Sequence, residues 1–287
     1  MLLRAVIGFL LLAIVFMPLE KLWPAHPGLR RLRPGFRTDV LHFFFTGLLT
    51  TVGLVLAAIP IVVAMNALTP TAIRDAVTAQ PEVVQLLEAL LIVELVGYWS
   101  HRMMHTVPAL WRLHRVHHSS ERMDWLAAAH LHPFDGSLGR LLAVIPLAYL
   151  GYSRATFGGA IVLLQLHAIF QHANLRVRFG PLGKVISSPQ YHHWHHTNDA
   201  HARDRNFAGL FPWIDVLFGT FHLPERAWPE TYGVDDPIPA GYLRQLASPF
   251  RGAAPTGALA APRPVPSETC AVRSSTIPTS SSSRSST

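Results

Sequence analysis

Three histidine clusters lying far apart in the chain constrain its fold more than any other feature: His101-x3-His105, His114-x2-His117-His118 and His192-x2-His195-His196. At about 100° per residue, His101 and His105 fall about 40° apart on a helix. By the same count each of the other two clusters spans an arc of about 100°. Each cluster therefore aims its imidazoles at one place. Imidazole suits iron, copper, zinc or nickel, and these eight histidines are too many for one ion. The pattern reads as a two-metal centre, around which separate chain segments must converge. The competing reading is a histidine-rich surface patch, but such tracts are loops of low complexity. Here Trp111, Leu113, Val116, Tyr191 and Trp194 interleave with the histidines, the pattern of packed helices.

Composition points to a membrane. Half of the 287 residues are hydrophobic and 14% are charged, against roughly 25% in soluble domains, and the mean hydropathy is +0.27. The net charge of +7 could suggest nucleic acid. However, the arginines flank apolar stretches and form no long basic run, which fits a membrane surface and no nucleic acid. The single cysteine, Cys270, lies in a polar tail, so neither disulfides nor thiolate ligands are expected.

Leu2 to Met17 is apolar apart from Arg4 and closes with Glu20 and Lys21. A signal peptide competes with an uncleaved first membrane helix, and the helix is preferred because only Pro18-Leu19-Glu20 follows, not a small-x-small site. Arg30, Arg31, Arg33 and Arg37 then precede Val40 to Leu68, a second apolar stretch broken by Pro60. Val83 to Trp99 is the third, containing Glu88 and Glu94. An arginine-rich first loop on the cytoplasmic side puts His101 on that same side after an out-and-back pair. Arg102, Arg112, Arg115 and Arg122 around the next clusters carry the same cytoplasmic signature.

Leu138 to Leu150 and Phe157 to Phe170 form a further pair joined by Gly151-Tyr152-Ser153-Arg154. Both are short for a span of about 20 residues, so a tilted or re-entrant hairpin is expected, returning His172 to the side of His101. The expected architecture is an all-α integral membrane protein of about four to five transmembrane or re-entrant helices, with a cytoplasmic helical cap. Residues 1–80 would hold N-terminal membrane helices and a basic loop, 81–250 the catalytic domain, and 251–287 a disordered Ser/Pro-rich tail.

Pro108 should break the helix between His105 and His114. His172 stands at the right depth to be a ninth ligand. His167 lies about 140° round the helix from it and, like His130 and His132, is a weaker candidate. His193 and His201 are read as groups behind the ligands, and His26, His42 and His222 as structural. Glu94, seven residues before His101 on roughly the same face, either orients a ligand or partners an arginine. Asp215 either holds an imidazole N–H or caps structure. No Glu-x-x-His string occurs in the clusters, which argues against a soluble-type carboxylate di-iron site, and no His-Glu-x-x-His for zinc hydrolysis.

These residues resemble the fatty acid hydroxylase / sterol desaturase superfamily of membrane non-haem di-iron enzymes. The resemblance runs from about Leu86 to Tyr232 and includes His117-His118-Ser119-Ser120-Glu121, His172-Ala173-Asn174, Asn206 and Trp213 to Thr220. It implies that His101, His105, His114, His117, His118, His192, His195 and His196 are ligands, with His172 matching a further ligand position in some branches. Where fatty acid 2-hydroxylases place a second histidine four residues before His172, this chain has Ala168. No fused cytochrome b5 domain is expected either. The implied chemistry is O2 activation at two iron ions, with electrons from a ferredoxin- or cytochrome b5-type reductase system, to hydroxylate or desaturate a lipid C–H bond. Rival readings are a membrane metal transporter, a haem-binding electron carrier and a catalytically silent lipid-binding relative. The first two need histidines paired within the spans. Sterol, fatty acyl, alkylglycerol and carotenoid substrates are not separated by any motif.

Overall fold

A computed structural model describes residues 2–29, 33–225, 227–236 and 238–251. The expected tail beyond Arg251, with Cys270, lies outside them, as do Arg30 and Arg31. The described residues are helical, with no strand and only two isolated bridges, Pro24 to Leu175 and Thr197 to Tyr232. In chain order the helices are α1 (Leu2–Leu22), α2 (Phe36–Leu41), α3 (Gly47–Leu68), α4 (Thr71–Thr78), α5 (Glu82–Thr106), α6 (Pro108–His118), α7 (Pro133–Leu150), α8 (Arg154–His172), α9 (Pro189–His195), α10 (Trp213–Phe218) and α11 (Tyr242–Ala247).

Three helical stretches are long and apolar enough to cross a membrane: Leu2–Leu22, Phe36–Leu68 and Glu82–Thr106. In the first two only 6% of the apolar window is buried, against 33% in the third. Leu10, Leu11 and Ile14 on α1 and Leu56, Ile59 and Val63 on α3 stand exposed. Such outward apolar faces suit lipid, and the third helix is the one that turns inward to carry the histidines. The expected hairpin is α7 and α8, of 18 and 19 residues, joined by a turn at Gly151.

Pro60 does not break the second stretch, contrary to the sequence reading: α3 continues through it. A proline removes one intrahelical bond, and an apolar setting with no competing water keeps the remaining ones. The irregularity lies earlier instead, in a π-helical turn at His42–Thr46 between α2 and α3. Pro108 does end a helix. Thr106 closes α5, Val107 is extended, and Pro108 starts α6 at a position where its missing N–H costs nothing.

Side-chain caps set three further starts. Ser153 accepts from Thr156 N, Ser188 from Tyr191 N, and Asp124 from Leu126 N and Ala127 N at the short 3₁₀ turn Trp125–Ala129. Gly151 ends α7 at φ 81°, a left-handed position that favours glycine. Gly136 lets α7 approach α3, since a methyl group there would meet Thr50 Oγ1 at 3.2 Å and overlap Leu131 Cδ1.

Three apolar clusters hold these elements around the histidines. Phe16 of α1 packs with Trp125, Leu126, Ala173 and Leu175. Ala89, Leu90, Leu147 and Ala160 lock α5 to α7 and α8. Tyr98, Phe207, Ala208 and Ile214 bind α5 to the loop before α10. Glu20 completes the first junction by accepting from Trp125 N at 2.8 Å and Asn174 N at 2.9 Å.

Candidate dimetal centre

The histidines converge as two adjacent sets. His101, His105, His114, His118 and His195 form one, and His117, His172, His192 and His196 the other. Within each set one ring nitrogen per residue lies within 4.8 Å of all the others. Helical geometry explains the division. His114 and His118 are four residues apart and share a face of α6, while His117 points to its side, toward the second set. On α9 His195 likewise joins the first set, while His192 and the following His196 join the second. The sets share a wall, with the His118 and His196 rings stacked at 4.4 Å between centroids.

Hydrogen bonds behind the rings fix which nitrogen faces inward. Nδ1 donates to a backbone carbonyl in His101 (Phe207, 2.8 Å), His117 (His130, 3.0 Å), His172 (Ala168, 2.7 Å) and His195 (Arg205, 2.8 Å). In His105 and His114 it meets Asp204 Oδ1 at 3.1 Å and Asp135 Oδ2 at 3.0 Å. A carbonyl only accepts, so these Nδ1 atoms carry the proton and the Nε2 lone pairs point into the centre.

Those lone pairs confront one another. His101 and His114 bring Nε2 atoms to 3.1 Å, and His172 and His117 to 3.2 Å, with no proton between them. Nε2 of His105 and of His195 is buried without any partner. An inward ring of unprotonated nitrogens is repulsive until a cation sits within it. The donor set therefore fits two metal ions, with all-nitrogen ligation for each.

Burial reinforces this. The imidazoles of His117, His118, His192, His195 and His196 are held well below the usual histidine range, first by burial and then by neighbouring histidines. The neutral, ligating form is thus the one the fold favours.

The loop 204–207 supplies three of the six outer contacts, and it is bent to do so. Asp204 and Asn206 take φ of 55° and 59°, left-handed values uncommon for residues other than glycine. Asn206 holds this bend by donating through Nδ2 to the carbonyls of Tyr191 (3.0 Å) and His222 (2.7 Å) and accepting from His222 N (2.7 Å). Asp215 accepts from Phe207 N and Ala208 N, both at 2.8 Å, and from Thr220 Oγ1 and Tyr191 Oη.

Asp215 thus holds no imidazole, and neither does Glu94, which accepts from Leu210 N and Phe211 N. Both satisfy loop amides that no strand or helix pairs. Glu88 accepts from Gln80 Nε2 and Tyr152 Oη.

The weaker histidine candidates stand outside both sets. His167 Nε2 contacts Ser187 Oγ at 2.7 Å, and His132 caps α7 while contacting the Leu246 carbonyl. His201 is exposed in a turn rather than behind a ligand. His193 backs the second set from outside: its Nε2 donates to the carbonyls of His172 (3.3 Å) and Ala173 (3.1 Å). Burial, then His26, pushes it down to about 3. Asn174 clamps the His26 backbone.

Asp135, Asp204 and the carbonyl groups escaped the sequence reading. A carbonyl carries no residue signal, and an aspartate only a weak one. His130 acts through its backbone oxygen, and its ring is held by Asp39 Oδ1, while Asp39 Oδ2 and Asp124 bind the buried Arg33.

Residues 86–220 match the fatty acid hydroxylase family. The chain is 32% identical over 170 residues to the ornithine lipid hydroxylase OlsE of Rhizobium tropici, covering 59% of this chain and 51% of that one. It is 33% identical over 150 residues to the alkylglycerol monooxygenase of Danio rerio, covering 52% of this chain and 33% of the relative. With methylsterol monooxygenase 1-1 of Arabidopsis thaliana it shares 28% over 138 residues, 47% of this chain and 46% of the relative. The chain thus spans about half or less of the length of these relatives. No solved structure matches it. Two histidine sets within the matched stretch, on a helical scaffold with three helices able to cross a membrane, agree with the similarity of residues 86–220 to the fatty acid hydroxylase family.

Proposed function

We propose that the chain is a multi-pass membrane di-iron oxygenase that hydroxylates, or by a second hydrogen removal desaturates, a C–H bond of a lipid. The observation that carries this reading is the pair of inward Nε2 sets, six of whose nine rings have Nδ1 tied to a carbonyl or carboxylate. His101, His105, His114, His118 and His195 would hold one iron, and His117, His172, His192 and His196 the other. The bound irons would supply reductive O2 activation, with the overall balance R–H + O2 + 2e⁻ + 2H⁺ → R–OH + H2O.

The chain's own residues orient and exclude. Asp135, Asp204 and the carbonyls of His130, Ala168, Arg205 and Phe207 fix the orientation of the six rings they contact and keep Nδ1 of those rings protonated. Phe207, buried against His101, His105 and His195, keeps water from that side of the first set. The names of the relatives support a lipid substrate, and the exposed apolar faces of α1 and α3 support lateral access from the bilayer. The arginine distribution supports a cytoplasmic site, fed with electrons by a ferredoxin- or cytochrome b5-type reductase. The histidines sit at the end of α5 and beyond it, not paired across the middle of spans as a transporter or haem carrier requires.

Metal analysis of the purified chain tests this. Two irons per chain and no haem Soret band are expected, and His117→Ala or His195→Ala should lose iron and product together. Wild-type turnover in either variant would sink the proposal.

A further inference from the structure

A small cleft opens from the polar surface onto the five-histidine set. His105, His118 and His195 line its buried end. At its outer side stand Arg203, Asp204 and Asp235, whose side chains are 32%, 49% and 54% exposed. Arg115 and Asp236 complete the charged lining. An acyl chain filling the cleft would strip water from five charged side chains, at a cost of kilocalories each.

Much of this charge is already engaged. Arg203 Nη1 meets Asp235 Oδ2 at 2.8 Å and its Nη2 donates to Asn198 Oδ1 at 2.6 Å. Asp204 is bonded to His105. Asp236 lines the same cleft as Arg115 and acts on its charge, and Arg115 Nε is buried with no hydrogen-bond partner. A guanidinium with spare donors binds an anion, and a carboxylate opposite it binds an ammonium. At the buried end, His105 and His195 each present an unpartnered Nε2. A group held by Arg115 and Asp236 would share the cleft with those nitrogens.

We propose that this cleft seats a zwitterionic lipid headgroup, its carboxylate or phosphate on Arg115 and its ammonium on Asp236, so that the oxidised C–H lies on or beside the headgroup rather than far along an acyl chain. This rests on the lipid-oxygenase reading above. In the step, the headgroup C–H breaks and a C–OH bond forms with one oxygen atom of O2. The other atom leaves as water, with two electrons from an external one-electron donor and two protons from solvent.

Native mass spectrometry of the full chain in detergent tests binding without turnover. The micelles would carry equal amounts of phosphatidylethanolamine, an N-acyl ornithine lipid, phosphatidylglycerol and a 1-O-alkylglycerol. At least one of the two zwitterionic lipids should be retained about tenfold over the other two classes, the worth of one charge-assisted contact. Asp236→Asn and Arg115→Gln should each erase that preference while iron content stays at the wild-type level. Equal or stronger retention of phosphatidylglycerol or the alkylglycerol would overturn the proposal. Tandem mass spectrometry of lipids from cells expressing the chain separates the two readings. An added oxygen on the headgroup fragment supports the headgroup site. Oxygen on an acyl fragment overturns it but leaves the oxygenase standing, and no oxidised lipid from the iron-loaded chain overturns both.

Discussion

At the scale of single residues, the centre depends on groups that never touch a metal ion. Asn206 combines a left-handed backbone with three hydrogen bonds that hold the Arg205 and Phe207 carbonyls behind His195 and His101. Asn206→Ala loses these bonds and keeps the strained backbone, so a loss of about 3 kcal/mol is expected. Asn206→Gly relieves the backbone, and it should be less damaging by about 1 kcal/mol. Chemical unfolding of the detergent-solubilised variants checks the order, and a glycine variant no better than alanine would show that the bend carries no strain. Asp135→Asn tests the ring contact itself. The amide can still accept from His114 but without charge, and iron affinity should fall about 10–100-fold, read by competition with a chelator.

At the scale of elements, the device is a short helix placed by its first residue. The seven residues of α9 are too few to be stable alone, yet they carry His192 and His195. Ser188 caps that helix through Tyr191 N, with Pro189 pre-set at its first turn. Ser188→Ala should cost about 1 kcal/mol of unfolding free energy, and amide exchange should rise first in 189–196 rather than in α5. Uniform exchange along the chain would contradict this. The π-helical turn at His42–Thr46 was not legible beforehand. Its cause is tertiary: His42 stacks on His130 at 4.5 Å and bonds Gln245 Oε1 at 2.8 Å, contacts from segments distant in the chain. Pro60 misled for the converse reason, since local proline chemistry yields where an apolar helix has no water to replace its hydrogen bonds.

At the scale of the whole molecule, the two sets tie together segments that no single core joins. The candidate ligands come from α5, α6, the end of α8 and α9 with the residue after it, so ions held there would couple those segments. Stripping metal with a chelator should lower the unfolding temperature and loosen α6 and α9 before the α5–α7–α8 core, because a ligand bound only to the folded state stabilises it by mass action. Thermal unfolding with and without chelator, read alongside exchange by segment, checks this; an unchanged midpoint would mean the sets hold no ion. The N-terminal helix belongs to the same unit. Glu20→Ala would leave the Trp125 and Asn174 amides unpaired and should cost about 1–3 kcal/mol for each.

Which histidines can meet is legible in the chain, because helical periodicity at 101–105, 114–118 and 192–196 aims each group to one side whatever surrounds it. So are the three long apolar helices and the break at Pro108, which follow from local composition and proline geometry. The division of nine histidines into five and four comes from packing, since it depends on which faces of α6 and α9 meet α5 and α8. Packing alone decided that backbone carbonyls, Asp135 and Asp204 orient the rings, because a carbonyl is present at every residue and nothing in a sequence marks the one that is aimed. The tasks of Glu94 and Asp215 were settled in the same way. A buried carboxylate takes whichever donors the packing leaves unpaired, and here these are the amides of the 207–211 loop.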